Sequence, residues 1–151
     1  MNTKWNKGQA LVEMTLLLPF LFLLMVIVAD LGRLFYFTMS VTHAVRAGAQ
    51  YGFVKSSDSD GMRAAAVTAG SDIGLANGDV VPAPFRYWRC PTDPTTTQNT
   101  TFPIPPNSCG SDQPLTYVRV QATKVFTTLW GGYLWVPKTI SVNRVAEMQV
   151  S

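Results

Sequence analysis

The apolar positions of this chain are concentrated at one end. From Leu16 to Ala29 no charged residue occurs, and counting back to Ala10 the only charge is Glu13. About twenty residues at about 1.5 Å each are enough to span a hydrocarbon core of about 30 Å. No stop signal follows Ala29. Asp30 and Arg33 stand three apart, where side chains pair on a helix surface. Beyond them Leu31, Leu34, Phe35, Thr38, Thr42, Val45 and Ala49 recur at spacings of three and four, one face of an amphipathic helix. Ala44, Ala47, Gly48 and Ala49 are small enough for close backbone approach. The pattern predicts one helix continuing to about Tyr51, with Gly52 as its end. Pro19 lies inside it and leaves the carbonyl of Thr15 without its helical donor. A hydroxyl, that of Thr15 itself or one on a neighbouring chain, is the expected substitute. Pro19 is either a tolerated kink or a soft point for bending on assembly.

The pattern then changes. Ser56 to Asp60 is polar and offers helix caps. Met62 to Ala69 is an alanine-rich short helix ended by Gly70 or Gly74, and Asn77-Gly78 signals a turn. Val80 to Trp88 has strand character interrupted by Pro82 and Pro84, which confines it to a sheet edge. Tyr117 to Thr123 alternates cleanly and its β-branched run continues toward Thr128. Thr139 to Val150 alternates again, with a phase shift near Arg144–Val145 that suggests a bulge. The last two runs form an antiparallel pair. The fold class is α+β: a long N-terminal helix, a short helix and a small antiparallel sheet. The domain reading is a leader over 1–8, a membrane helix over 9–30, its extramembrane continuation over 31–55, and an exposed α+β domain over 56–151.

Charge changes the picture chiefly through where it lies. The 151 residues carry 12 basic and 9 acidic side chains. Lys4 and Lys7 precede the apolar run, which places the N-terminus in the cytoplasm and the rest outside. Without residues 1–8, ten basic residues face nine acidic ones. That near-neutral, scattered distribution gives no reason to expect a nucleic-acid partner. A cleaved secretory signal would have a shorter apolar core and small residues at its end; Val26 to Gly32 has no such ending.

Cys90 and Cys109 both fall in the part expected to face an oxidising compartment. They bracket a loop rich in Pro, Thr, Asn and Ser, and a disulfide is the natural pairing. Two cysteines and the distant His43 do not make a metal site. Asp58, Asp60, Asp72 and Asp79 lie among turn and cap signals, which account for them better than calcium does. No nucleophile elbow, zinc motif, phosphate loop or dinucleotide fingerprint is present. Neither an enzyme activity nor a cofactor or small-molecule substrate is expected. Trp130, Tyr133 and Trp135 are a candidate contact surface for adhesion, or else a cap on the core of the small sheet.

Taken in order, Gly8-Gln9-Ala10-Leu11-Val12-Glu13, Leu16-Leu17-Leu18-Pro19, Asp30-Leu31-Gly32-Arg33-Leu34-Phe35-Tyr36 and Ala44-Val45-Arg46-Ala47-Gly48-Ala49-Gln50-Tyr51 resemble the TadE-like family. Its members are pseudopilins of the tight-adherence (Tad) pilus, within the type IV pilus group. The resemblance extends more loosely to the paired C-terminal strands. It implies that a membrane prepilin peptidase cuts between Gly8 and Gln9. Glu13 then stands at mature position five and can neutralise the new α-ammonium of its own or a neighbouring helix, since a buried pair costs far less than an isolated buried charge. The family more often has an aromatic residue where Met14 stands. The implied partners are the membrane, the peptidase, other pilin-like subunits and the pilus assembly platform. The implied location is the bacterial inner membrane, single-pass, with the C-terminal domain outside and incorporation into the pilus as a further step. The size of that domain favours a minor over a major subunit. Two alternatives remain: an interface glutamate on an ordinary signal-anchored binding domain, or a pseudopilin of another secretion system.

Overall fold

The computed structural model describes residues 6–91, 99–129, 131 and 137–150. It divides into two units, Met1–Tyr36 and Phe37–Ser151. Helix α1, Asn6–Val54, runs through both and contains Pro19. In the first unit it is the whole of the described structure. Its large apolar side chains, from Leu11 through Val28, are exposed. The hydroxyl of Thr15 donates back to the carbonyls of Leu11 and Val12 at 3.0 and 2.9 Å. It is therefore engaged one turn upstream and does not serve its own carbonyl, as had been expected at Pro19. Arg33 pairs with Asp30 at 3.2 Å.

In the second unit α1 packs on a three-stranded antiparallel sheet of order β1-β2-β3, with β1 Phe85–Arg89, β2 Leu115–Thr127 and β3 Thr139–Val150. Helix α2, Ser59–Ala69, adds to the same layer. The buried stripe of α1 is Val41, Ala44, Val45, Gly48, Ala49 and Gly52. This corrects the stripe expected from spacing: Val45 and Ala49 belong to it, but Leu31 and Phe35 are exposed. Periodicity ran the stripe on through Leu31 and Phe35, whereas close helix–sheet packing centres on small residues, among them Ala44, Gly48 and Ala49, which their size had marked for close approach. A Cβ on Gly48 would lie 2.8 Å from the carbonyl oxygen of Met62 and 3.1 Å from a methyl of Val120.

The sheet presents Val118, Val120, Ala122 and Phe126 of β2 and Val142 of β3 to this core. Phe37 of α1 meets Phe126 at 5.3 Å between ring centroids. Strands β2 and β3 pair without interruption from Thr116↔Val150 to Thr127↔Thr139. The expected bulge near Arg144–Val145 is absent. The apparent phase shift arises because Val145 is an exposed apolar residue on the outer face, and Arg144 occupies a position on the inner face. Strand β1 is an edge strand, as its neighbouring prolines required; Pro82 and Pro84 end just before it.

The connections are held by polar contacts at their ends. Asp58 caps α2 by accepting from Gly61 N at 2.8 Å and from the Tyr51 hydroxyl at 2.8 Å. Asp79 accepts from Ala76 N at 2.8 Å and from Lys124 of β2 at 2.7 Å. Asp72 accepts from Ser40 of α1 at 2.6 Å, and Asp60 pairs with Arg63 at 3.5 Å. The four carboxylates are thus capping and tethering groups, and no metal-binding cluster occurs among the described residues. Cys90 and Cys109 form a disulfide with Cα atoms 5.4 Å apart.

Candidate functional site

Helix α1 has begun by Asn6, so Gly8 and Gln9 already have helical backbone. Nothing lies within 4 Å of the space a Cβ on Gly8 would occupy, so the backbone there is open to approach. Gln9 and Glu13 are four apart, one helical turn, which places them on one face about 6 Å apart along the axis. Glu13 is exposed. An amine at the start of residue 9 would stand within reach of that carboxylate. Pro19 lies about one and a half turns further on, also exposed. Between and beyond them stand Leu11, Val12, Met14, Leu16, Leu17, Leu18, Phe20 and Leu21, each more than half exposed. A surface this apolar on all sides is a helix made for hydrocarbon or for other helices. By length and composition α1 is the one helix among the described residues able to cross a membrane, and it suggests a membrane anchor.

The second unit carries two further clusters that the sequence did not announce. On the outer sheet face Tyr87 is 1% exposed and stacks on Tyr117 at 5.5 Å. Arg89 lies over the Tyr117 ring at 4.3 Å, and Arg119 pairs with Glu147 at 3.5 Å. Burial, and then Glu147, which accepts from its hydroxyl, push Tyr87 above the usual tyrosine range. Only cross-strand register reveals this cluster, because its members come from three strands. The second is an open groove of about 380 Å³ between α1 and β3, lined by Thr42, Arg46, Gln50 and the run Val145 to Met148. The exposed i, i+4 pair Arg46 and Gln50 was its one trace in the sequence.

Of the sequence candidates, Gly8, Gln9, Glu13 and Pro19 lie on α1, and Cys90 and Cys109 are bonded to each other. Trp130, Tyr133 and Trp135 fall outside the described residues. His43 is exposed on α1.

These features define a class: a chain with a long N-terminal helix, exposed and apolar over its first part, that continues into a small α+β domain. A family model described as TadE-like protein matches residues 8–50. The match covers all four of the motifs on which the resemblance rests, apart from Tyr51, and leaves the C-terminal strands outside it. It suggests a pilin-like protein associated with the Tad pilus, in a family whose role is structural. No curated protein and no solved structure matches the chain.

Proposed function

We propose that this protein is a minor pilin or pseudopilin of a Tad-type pilus, cut between Gly8 and Gln9 by a prepilin peptidase and acting in the assembly or priming of the fibre. The observation that carries the reading is the order Gly8, Glu13, exposed apolar helix, inside the stretch that matches the TadE-like family. Cleavage would leave an α-ammonium at Gln9, one turn from Glu13. In a low-dielectric surrounding each charge alone is costly, and the pair far less so. The same pairing made between neighbouring chains would fix their axial register, a known use of buried polar contacts. The basic residues Lys4 and Lys7 support a cytoplasmic N-terminus. The disulfide supports an oxidising compartment for the C-terminal domain.

The test is the intact mass and N-terminal sequence of the protein taken from its native membrane. A start at Gln9 is expected. An intact Met1, or a start after Ala29, would refute processing and favour a plain signal-anchored or secreted domain. Gly8→Ala is expected to block the cut and leave membrane insertion unchanged.

A further inference from the structure

The two edges of the sheet are treated differently. Strand β1 is five residues long, is approached through Pro82 and Pro84, and has its free side closed by Asn99, whose backbone exchanges hydrogen bonds with Trp88 at 3.0 and 3.3 Å. Strand β3 has twelve residues, no proline and no bulge. It pairs with β2 on one side and with no strand among the described residues on the other. In an antiparallel ladder every second residue turns its N–H and C=O away from its partner. The outer side of β3 therefore turns backbone donors and acceptors away from β2 with no strand to meet them among the described residues; the carbonyl of Asn143 accepts from Arg144 at 2.9 Å. Folded proteins ordinarily blunt such an edge with proline, a bulge, charged side chains or a covering element; β1 is blunted by proline and by Asn99, and β3 only by charge, that of Arg144 and Glu147.

The groove beside α1 has this edge strand as one of its walls. Its β3 wall is formed by four consecutive residues, Val145, Ala146, Glu147 and Met148. Consecutive residues point to opposite faces of a strand. A wall that takes in all four therefore includes backbone of the edge strand as well as side chains. The opposite wall is Thr42, Arg46 and Gln50 of α1. Arg46 is exposed and has no ion-pair partner among the described residues. The carboxylate on the other wall, Glu147, is held by Arg119 and by the Tyr87 hydroxyl.

We propose that this groove accepts an extended segment of another protein as a fourth strand on β3, with an acidic side chain of that segment set against Arg46. Main-chain hydrogen bonds to β3 supply the affinity and the helix wall supplies the selection, the division of labour general to strand addition at a sheet edge. A second copy of this chain is the poorer occupant. Continuing the sheet with β3 of another copy would present the inner-face side chains of that strand to α1. Those include Arg144 and no carboxylate, so in no register would one of them pair with Arg46. Turning the copy over would present Glu147, which would first have to leave Arg119 and Tyr87. The inference does not depend on how the N-terminus is processed.

The experiment uses the full chain in lipid nanodiscs and two synthetic twelve-residue peptides. Both alternate Val and Thr, and they differ only in a central Glu or Lys. The readout is amide hydrogen exchange. The Glu peptide is expected to slow exchange of alternate β3 amides around residues 145–148, and to bind about fivefold more tightly than the Lys peptide, the size of one exposed ion pair. In Arg46→Glu the preference is expected to reverse. Arg46 is exposed, so this substitution leaves the core untouched. Absence of protection in β3 with either peptide would overturn the proposal, as would equal binding of both peptides. Protection of β3 that rises with protein concentration and needs no peptide would assign the edge to a second copy and overturn it equally.

Discussion

Two glycines on the buried stripe of α1 look interchangeable in sequence and differ in what surrounds them. Replacing either with alanine gives the helix about 0.8–1.0 kcal/mol of intrinsic propensity. The steric cost separates them. At Gly48 the new Cβ would lie 2.8 Å from the carbonyl oxygen of Met62, with Ala66 Cβ and Val120 Cγ1 each at 3.1 Å. The oxygen belongs to helix α2 and cannot move alone, so α2 must shift by a few tenths of an ångström. Overpacking of that kind costs about 1–3 kcal/mol. At Gly52 the closest atom is the Met62 sulfur at 2.5 Å, followed by Val118 Cγ2 at 3.1 Å and Met62 Cγ at 3.2 Å. A methionine side chain can swing to another rotamer at small cost. Gly52→Ala is therefore expected to be close to neutral, and Gly48→Ala to lose about 1 kcal/mol net. For a unit of this size that is a difference in melting temperature of about 4 °C. The assay is thermal unfolding of the full chain in detergent, followed by near-ultraviolet circular dichroism of the buried aromatics Tyr87 and Trp88. A Gly48→Ala variant as stable as Gly52→Ala would refute the claim that α2 seats on α1 by backbone contact at this position.

Replacing Cys90 and Cys109 with serine together opens a link across a sequence separation of 19 and is expected to cost about 3 kcal/mol by loop entropy, with no change in membrane insertion; unchanged thermal stability would argue against the bond. Burial raises the carboxyl of Asp79, but the hydrogen bonds from Lys124 and Ala76 outweigh it and hold the group below the ordinary value of 3.8. A depressed carboxylate contributes stability that is present above its unfolded value and is lost as pH falls through the folded one. Melting temperature should therefore drop below about pH 4, and Asp79→Asn should flatten that drop while lowering stability at pH 7 by about 1 kcal/mol. Asp58, held low by Gly61 N and the Tyr51 hydroxyl, contributes in the same sense, so the flattening should be partial; an unaltered acid limb in Asp79→Asn would refute the assignment. Glu13→Ala should be trimmed normally and enter the fibre poorly, scored as the fraction of processed protein recovered in sheared pili; normal incorporation would refute the ammonium pairing.

The elements with a strong period were legible from the residues alone. The long apolar helix, the alanine-rich helix and the pair of C-terminal strands follow from spacing, and prolines 82 and 84 placed β1 at an edge. What spacing misread was which residues of α1 face the sheet. Leu31 and Phe35 continue the arithmetic of the stripe but are exposed, because the contact with α2 and β2 selects Ala44, Gly48 and Gly52 for their small size. The supposed bulge failed for a related reason. An exposed Val145 and an inner-face Arg144 each break the binary pattern without breaking the hydrogen-bond ladder, since register is set along the whole strand and tolerates a local exchange of polarity. The cluster around Tyr87, Tyr117 and Glu147 was illegible, as it exists only after three strands align.

The change in side-chain size along α1 is itself an argument about what each part meets. Up to Val28 the helix carries Leu, Phe, Met and Ile, nearly all half exposed or more. Fluid hydrocarbon conforms to any shape, so bulky side chains cost nothing there and increase the apolar surface. From Val41 the inward positions turn to Val, Ala and Gly, because a folded sheet has fixed contours and admits a helix only where the side chains are short. The outward positions of the same stretch, Met39, His43, Arg46, Gln50 and Phe53, keep their size and gain polarity. One helix thus carries two compositions, the first of a kind suited to a membrane and the second to a sheet. The break between them, in the mid-thirties, coincides with the division of the chain into its two units. A substitution test should respect that break. Leu-to-Ala changes before it should alter membrane association and leave the unfolding of the C-terminal unit in place, while Ala-to-Leu changes at Ala44 or Ala49, both fully buried, should do the reverse.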